Sequence, residues 1–180
     1  PTAVEWDFDD GDQDAVVFGF SSGVVPAGKS AGDDSDDGID DDPGGTSFWT
    51  AGRWIGPRGG KIRIRDKGRK RDDDGNKPRE FISVDFSVPK GALDERAPIR
   101  MAVRGYYLSQ LAIGFRPSGL EFNKDAKLKI HLGRDRVDVD ATTIEVTHTW
   151  VEDGVTHTET MKYDVDVNGH GDAVIQIRIP

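Results

Sequence analysis

Cysteine is absent from the 180-residue chain, so the fold contains neither a disulfide nor a thiolate metal site. No apolar run approaches the roughly 18 residues that a membrane-spanning helix needs, and no signal peptide opens the chain. We therefore expect a protein without membrane insertion. Because the chain begins at Pro1 and not at an initiator Met, we expect a processed or excised form, which is compatible with export.

The sequence also lacks the signatures of common enzymes. It has no Gly-x-Ser-x-Gly elbow, no phosphate loop and no His-Glu-x-x-His helix, and its carboxylates are too numerous to nominate a glycosidase pair. Basic residues are outnumbered, with 24 Lys and Arg against 33 Asp and Glu and a net charge of -9. These absences predict a protein that is no enzyme and that does not bind nucleic acid.

Short runs of alternating apolar and polar residues, separated by Gly, Pro, Asn and Asp, fill the chain, and convincing helices are absent. The predicted strands are Ala15 to Phe20, Phe48 to Ile55, Lys61 to Arg65, Phe81 to Val88, Ile99 to Gly105, Leu111 to Phe115 and Ala126 to Leu132. In the last of these, Leu128, Ile130 and Leu132 alternate with polar residues and should face a core. The pattern predicts an all-β fold, an antiparallel β-sandwich that Ile130→Asp should unfold.

The last forty residues predict a ribbon of hairpins. Strands at Thr143 to Val151, Val155 to Val167 and Ala173 to Ile179 are joined by Asp153-Gly154 and Asn168-Gly169, which are strong hairpin signals. Such a ribbon is unstable alone, so it should pack on the sandwich or on a neighbouring subunit. We divide the chain into N-terminal strands with an acidic loop (1–54), a sandwich core (55–140) and the added C-terminal β-hairpin ribbon (141–180).

Three motifs within the central part carry a resemblance to a known family. They are Ile55-Gly56-Pro57-Arg58-Gly59-Gly60 before a strand, Phe86-Ser87-Val88-Pro89-Lys90-Gly91-Ala92-Leu93, and Phe115-Arg116-Pro117-Ser118-Gly119-Leu120-Glu121-Phe122-Asn123-Lys124 before an alternating strand. In this order over some seventy residues they resemble the ZU-five-type domain, the β-sandwich module of ankyrins, netrin receptors and the zonula occludens scaffold, which also occurs in exported bacterial proteins. The resemblance implies a domain for interaction or mechanical linkage without catalytic residues.

The chain departs from that pattern outside the three motifs. An insertion from Asp66 to Arg79 interrupts the first hairpin with a run of mixed charge. Within it, the basic run from Arg69 to Arg71 could contact an anionic polymer, but the adjoining Asp72 to Asp74 would largely cancel its field, which favours a solvated loop.

A loop rich in aspartate has the spacing of a calcium site. Oxygen-bearing side chains fall on Asp33, Ser35, Asp37 and Asp41, with a Gly at the sixth place of the run. The twelfth place of an EF-hand falls on Gly44 where Glu is needed, so the loop more closely resembles a thrombospondin type-three repeat. The resemblance and the spacing predict bound calcium, and the alternative is a solvated acidic linker.

A second acidic cluster includes Asp9, Asp12 and Asp14, and it is a further candidate for calcium on the same grounds. Its alternative is likewise a linker.

Other candidate site residues are aromatic. In a hairpin with a two-residue turn, His157 lies opposite Trp150 and His148 lies diagonal to it, so the imidazoles could bind a transition metal, although threonine-rich flanks favour exposed surface histidines. Trp49 could stack on a sugar or dock into a protein partner, with core packing as the alternative.

Together these observations predict a non-catalytic structural or assembly module of a secreted or cell-surface protein. Calcium would stiffen its acidic loops, and unpaired strand edges would recruit further copies or other surface proteins. The alternative is a monomeric extracellular recognition domain that binds a protein or a glycan through its loops.

Overall fold

The computed structural model describes residues 16–22, 48–66, 80–117, 119–152 and 155–180. These residues form an all-β sandwich of two antiparallel sheets, as the alternating pattern predicted. The strands are β1 (Val16–Ser22), β2 (Phe48–Ile55), β3 (Gly60–Asp66), β4 (Ile82–Val88), β5 (Ala97–Arg104), β6 (Ala112–Arg116), β7 (Ala126–Leu132), β8 (Ile144–Glu152), β9 (Val155–Thr160), β10 (Tyr163–Val167) and β11 (Ala173–Ile179). Two short 3-10 turns cover Leu108–Gln110 and Arg134–Arg136. Among the residues that the structure describes, no helix is long and apolar enough to span a bilayer.

One sheet has six strands in the order β2-β5-β6-β1-β8-β9, and the other has five in the order β10-β11-β7-β4-β3. Every strand pairing within them is antiparallel. The N-terminal β1 lies between β6 and β8, and the C-terminal β11 lies between β10 and β7. Strands from all three parts of the chain are thus neighbours within the sheets.

The core lies between the two sheets and is built from alternate residues of each strand. On β7, Leu128, Ile130 and Leu132 are fully buried while Lys127 is exposed, so the predicted direction of this strand is confirmed. Ile130 lies between Val84 of β4 and Ile175 of β11 in register, at the centre of the five-stranded sheet. A substitution there acts on both layers of the sandwich.

The chain crosses from one sheet to the other at both sides of the sandwich. On one side, β2 and β3 are joined by a turn closed by the bridge between Gly56 and Gly59. On the other, β9 and β10 are separated by only two residues, so the prediction of one strand over residues 155–167 was wrong. The N–H of Met161 donates to Val146 O at 2.8 Å in the six-stranded sheet, whereas Tyr163 already pairs with Ile177 in the five-stranded sheet.

The three motif segments meet at one end of the sandwich. The Gly91 N–H donates to Pro57 O at 2.8 Å, which joins the second motif to the first, and the Asn123 N–H donates to Ala92 O at 2.9 Å, which joins the third to the second. Gly59 has a φ of +74°, and a Cβ there would lie 2.5 Å from Val88 O, so only glycine fits. The three motifs therefore fix the path of the backbone at this end of the sandwich.

Candidate association edge and aromatic cavity

Strand β9 ends the six-stranded sheet and pairs, among the described strands, only with β8. Its sequence Val-Thr-His-Thr-Glu-Thr contains no Lys, Arg or Pro, the residues that commonly block pairing at a sheet edge. Every side chain in it except His157 is exposed, and Val155 is 56% exposed. The strand therefore presents an edge with few features that would keep another strand away.

The hydrogen bonds at the end of β9 establish which backbone groups point outward. Met161 lies opposite Val146 and donates to its carbonyl, so this is a hydrogen-bonded pair of the antiparallel ladder. Such pairs alternate along a ladder, so His157 and Glu159 direct their N–H and C=O groups toward β8. Thr156, Thr158 and Thr160 consequently direct theirs away from the sheet, where no described strand receives them.

Two of the other end strands, β3 and β10, carry more charge than β9, whereas β2 has one charged residue, Arg53. On β3, Lys61, Arg63 and Arg65 project from the outer face of the sheet, and β10 carries Asp164 and Asp166 in the same manner. In β9 the one ionised residue is Glu159. Its carboxylate lies 2.9 Å from Nδ1 of His148 and accepts a hydrogen bond from that nitrogen when Nδ1 carries the proton. Like charges face each other when such charged strands pair with their own copies, so β9 is more open to self-pairing than β3 or β10, and it differs from β2 in lacking a basic residue.

Behind this edge lies a column of four stacked rings. Phe18, His148, Trp150 and His157 follow one another across β1, β8 and β9 with centroid separations of 4.9, 4.8 and 5.2 Å and interplanar angles of 12°, 24° and 19°. Trp150 lies opposite His157, as the two-residue turn predicted. The expectation of exposed surface histidines is wrong for His148, whose side chain is only 18% exposed, because it continues the inner face formed by Val146.

Phe18, His148 and Trp150 of this column form one wall of a cavity of about 350 Å³ between the sheets. Phe86 and Phe115 contribute to the remaining walls, with their ring centres 4.6 Å apart, and Leu120 and Phe122 of the third motif also line the cavity. The lining is mainly apolar, with Arg116 and Glu121 as its charged members. Such a cavity suits an apolar or aromatic group.

The residues predicted to bind calcium, Asp33, Ser35, Asp37 and Asp41 in one loop and Asp9, Asp12 and Asp14 in the other, lie outside the described residues. The basic run at 69–71 lies outside them too. Within the described ranges, no group of three or more His, Cys, Asp or Glu side chains could hold a metal ion, and this includes the region of His148 and His157.

Trp49 is half-buried and packs against the core, where its ring lies 5.7 Å from the guanidinium carbon of Arg136. Arg136 is a buried cation, 1% exposed, that donates to Asp66 and lies 4.2 Å from the Tyr106 ring centre. Trp54 is the exposed aromatic of β2, with 55% of its surface accessible. Sequence reasoning missed Arg136, because its partners come from distant parts of the chain.

Comparisons of this chain with protein-family models, with curated proteins and with solved structures find no match.

Proposed function

We propose that this protein is a non-catalytic structural module of a secreted or cell-surface protein and that it self-associates through strand β9. The observation that carries the proposal is the outward row of backbone groups at Thr156, Thr158 and Thr160, on an edge without Lys, Arg or Pro. An unpaired edge of this kind recruits another strand through main-chain hydrogen bonds. The resemblance to ZU-five-type domains supports a role in linkage.

Two copies of β9 can pair antiparallel about a two-fold axis, which joins both six-stranded sheets into one. The register is restricted, because paired residues must share a face and their outward groups must meet. Pairing Thr158 with its own copy satisfies both conditions. It also places Thr156 opposite Thr160 and His157 opposite Glu159, so hydroxyl meets hydroxyl and imidazole meets carboxylate.

The absence of cysteine allows this register to be tested with single substitutions. In Thr158→Cys, the two thiols lie across one ladder pair with Cα atoms about 5.5 Å apart, within the range that a disulfide bridges. Mild oxidation should therefore convert the variant into a covalent dimer, seen on a non-reducing gel. Light scattering of the unmodified protein should show a dimer that dissociates on dilution.

Thr156→Cys is a matched control on the same strand and the same face. In the proposed register its two copies are four residues apart along the strand direction, about 13 Å, too far for a disulfide. It should stay unlinked at concentrations where Thr158→Cys is linked. A monomeric wild-type protein at all concentrations, or equal cross-linking of both variants, would contradict the proposal.

The calcium sites of this proposal rest on the spacing of the acidic residues in the sequence alone. We propose that the ion stiffens the acidic loops and leaves the β9 edge to pair with or without it. Light scattering and thermal melting with millimolar calcium or with a chelator separate these roles, since an ion bound only to the folded state raises the melting temperature. An unchanged melting temperature would return the loops to the linker alternative.

A monomeric recognition domain is the second candidate, and the aromatic cavity of about 350 Å³ favours it. The partner would insert an apolar or aromatic side chain beside Trp150 and Phe115. Because the indole lines the cavity, its fluorescence should change on binding, and Trp150→Phe should remove that change while the fold persists. A strict monomer with such a response would favour this function over assembly.

A further inference from the structure

The outer face of the five-stranded sheet is strongly cationic. Alternate residues of its strands point away from the core, and they include six Lys and Arg side chains, all exposed or half-exposed: Lys61, Arg63, Arg65, Lys127, Lys129 and Arg178. We call these six residues the cationic face. The acidic residues on the same surface are Asp85 at its centre and Asp164 and Asp166 on the far edge strand β10.

The strand register aligns part of this charge into a row across the sheet. Lys61, Ser87, Lys127 and Arg178 are consecutive neighbours on β3, β4, β7 and β11. Lys162, one residue before β10, continues the row at the next position, because Tyr163 pairs with Ile177. With strands about 4.8 Å apart, the row spans roughly 19 Å and contains four cations and no acid.

Most of this charge is not neutralised within the described part of the chain. Asp85 pairs with Lys61 at 3.0 Å and with Arg63, which leaves that trio with a charge of +1. No described acidic side chain forms an ion pair with Arg65, Lys127, Lys129 or Arg178. The field is also felt by His131 on the same surface, whose pKa is lowered first by burial and then by Lys129, with Arg63 and Lys61 adding to the effect against the opposing charge of Asp85.

The net charge of the whole chain conceals this surface. The first 47 residues contain 13 acidic side chains and one basic, a net of -12, so the remaining 133 residues carry +3. The described residues of the sandwich contain 17 basic and 16 acidic side chains, a net of +1, so the cationic face is a local concentration of positive charge in a nearly neutral sandwich. A negative total does not exclude an anionic partner when the opposite charges occupy separate parts of the molecule.

We propose that the cationic face binds an acidic polysaccharide, a linear chain of sugars that bear carboxylates. The positive row matches an extended polyanion in charge and supplies contacts over several sugar units. The neutral groups between the cations are Ser83, Ser87 and Gln176, which can hydrogen-bond to sugar hydroxyls. No Phe, Tyr or Trp of the described strands points outward on this face, and its one aromatic ring is the half-buried His131, so it offers little platform on which nucleic-acid bases stack.

The test is a titration of the full chain with polygalacturonate at low salt, in which isothermal calorimetry measures the binding. Neutral dextran and a single-stranded polynucleotide are the comparison polymers. The double variant Lys127→Gln with Arg178→Gln removes two charges from the row, and neither residue has an ion-pair partner among the described residues. We expect the affinity for polygalacturonate to fall about tenfold or more and the salt dependence to become shallower by about two, one for each lost cation.

The matched control is Arg53→Gln with Arg104→Gln, which removes the same charge from the six-stranded sheet and should change the affinity less than about threefold. Melting temperatures check that both variants fold. Equal losses in the two variants, polynucleotide binding as tight as that of polygalacturonate, or no binding at low salt would each overturn the proposal. These outcomes are independent of β9, because Thr158→Cys leaves the cationic face unchanged.

Discussion

Strands β3 and β9 both end a sheet, but their sequences manage that position in opposite ways. Strand β3 alternates buried Ile62 and Ile64 with exposed Lys and Arg, so two copies brought together would align like charges. Strand β9 offers three threonines and an exposed Val155 instead. In the proposed function, charge therefore keeps the β3 edge unpaired while the β9 edge accepts a second copy.

Ile130→Asp tests whether these two regions depend on a common core, and it has the largest expected effect. Ile130 is fully buried between β4 and β11, and an unpaired carboxylate there costs more than about 4 kcal/mol, enough to unfold a domain of ordinary stability. Far-UV circular dichroism and thermal melting should show a loss of the cooperative transition.

The neighbouring variant Lys129→Asp is the control, because residue 129 points to the outer face of the same strand. It should fold and melt as a cooperative unit, and it should bind polygalacturonate more weakly. If Ile130→Asp melted normally, the packing of the two sheets described above would be wrong.

Much of the fold follows from local sequence. The alternation of Lys127 to Leu132 predicted the direction of every side chain on β7, and the turn Asp153-Gly154 predicted that Trp150 faces His157. In both cases a period of two and a fixed turn length leave a single register. The strand Phe48–Ile55 was likewise predicted with its observed bounds.

The transfer of the chain between sheets at Met161 was not predicted. Both β9 and β10 alternate with a period of two, so nothing local marks the crossing. The cationic face was equally invisible, because Lys61, Lys127 and Arg178 become neighbours only through the strand order β11-β7-β4-β3. Local pattern determines which way a side chain points, whereas strand order determines what lies beside it.

Asp85→Asn tests how the charges on the outer face of the β3 sheet contribute to stability. Burial alone would raise the pKa of Asp85, but hydrogen bonds and charge from Arg63 and Lys61 outweigh it and hold the pKa below the ordinary range. The carboxylate therefore adds stability above about pH 3.9, the pKa of an unfolded aspartate, and that stability is lost as pH falls through the lower folded pKa.

At neutral pH we expect Asp85→Asn to lower the free energy of unfolding by about 1–2 kcal/mol, with allowance for the partial exposure of both cations. Urea unfolding at pH 7, 3 and 2 measures this. The variant should lose less stability than the wild type on acidification. Parallel pH curves for the two proteins would show that Asp85 is not the group that titrates.

Thr158→Lys gives β9 the protection that β3 already has. In the proposed dimer the two lysines face each other across one ladder pair, so the dissociation constant should rise about tenfold or more, or about 1.4 kcal/mol. Sedimentation over a dilution series measures it. Thr50→Lys on edge strand β2 is the control, and dimerisation that survives Thr158→Lys but not Thr50→Lys would move the interface to the opposite edge.

Tyr163→Phe has the smallest expected effect and tests how β9 is fixed to the rest of the sandwich. The hydroxyl of Tyr163, the first residue of β10, donates to Ile144 O at 2.9 Å and lies 3.2 Å from Thr142 O, which connects the five-stranded sheet to the start of β8. Removing it should lower the free energy of unfolding by about 1 kcal/mol. Tyr107→Phe, whose hydroxyl has no described partner, should cost less. Because β8 carries β9, hydrogen exchange at His157 and Glu159, whose N–H groups face β8, should quicken in Tyr163→Phe and stay unchanged in Tyr107→Phe. Equal exchange in both variants would show that β9 is held by β8 alone.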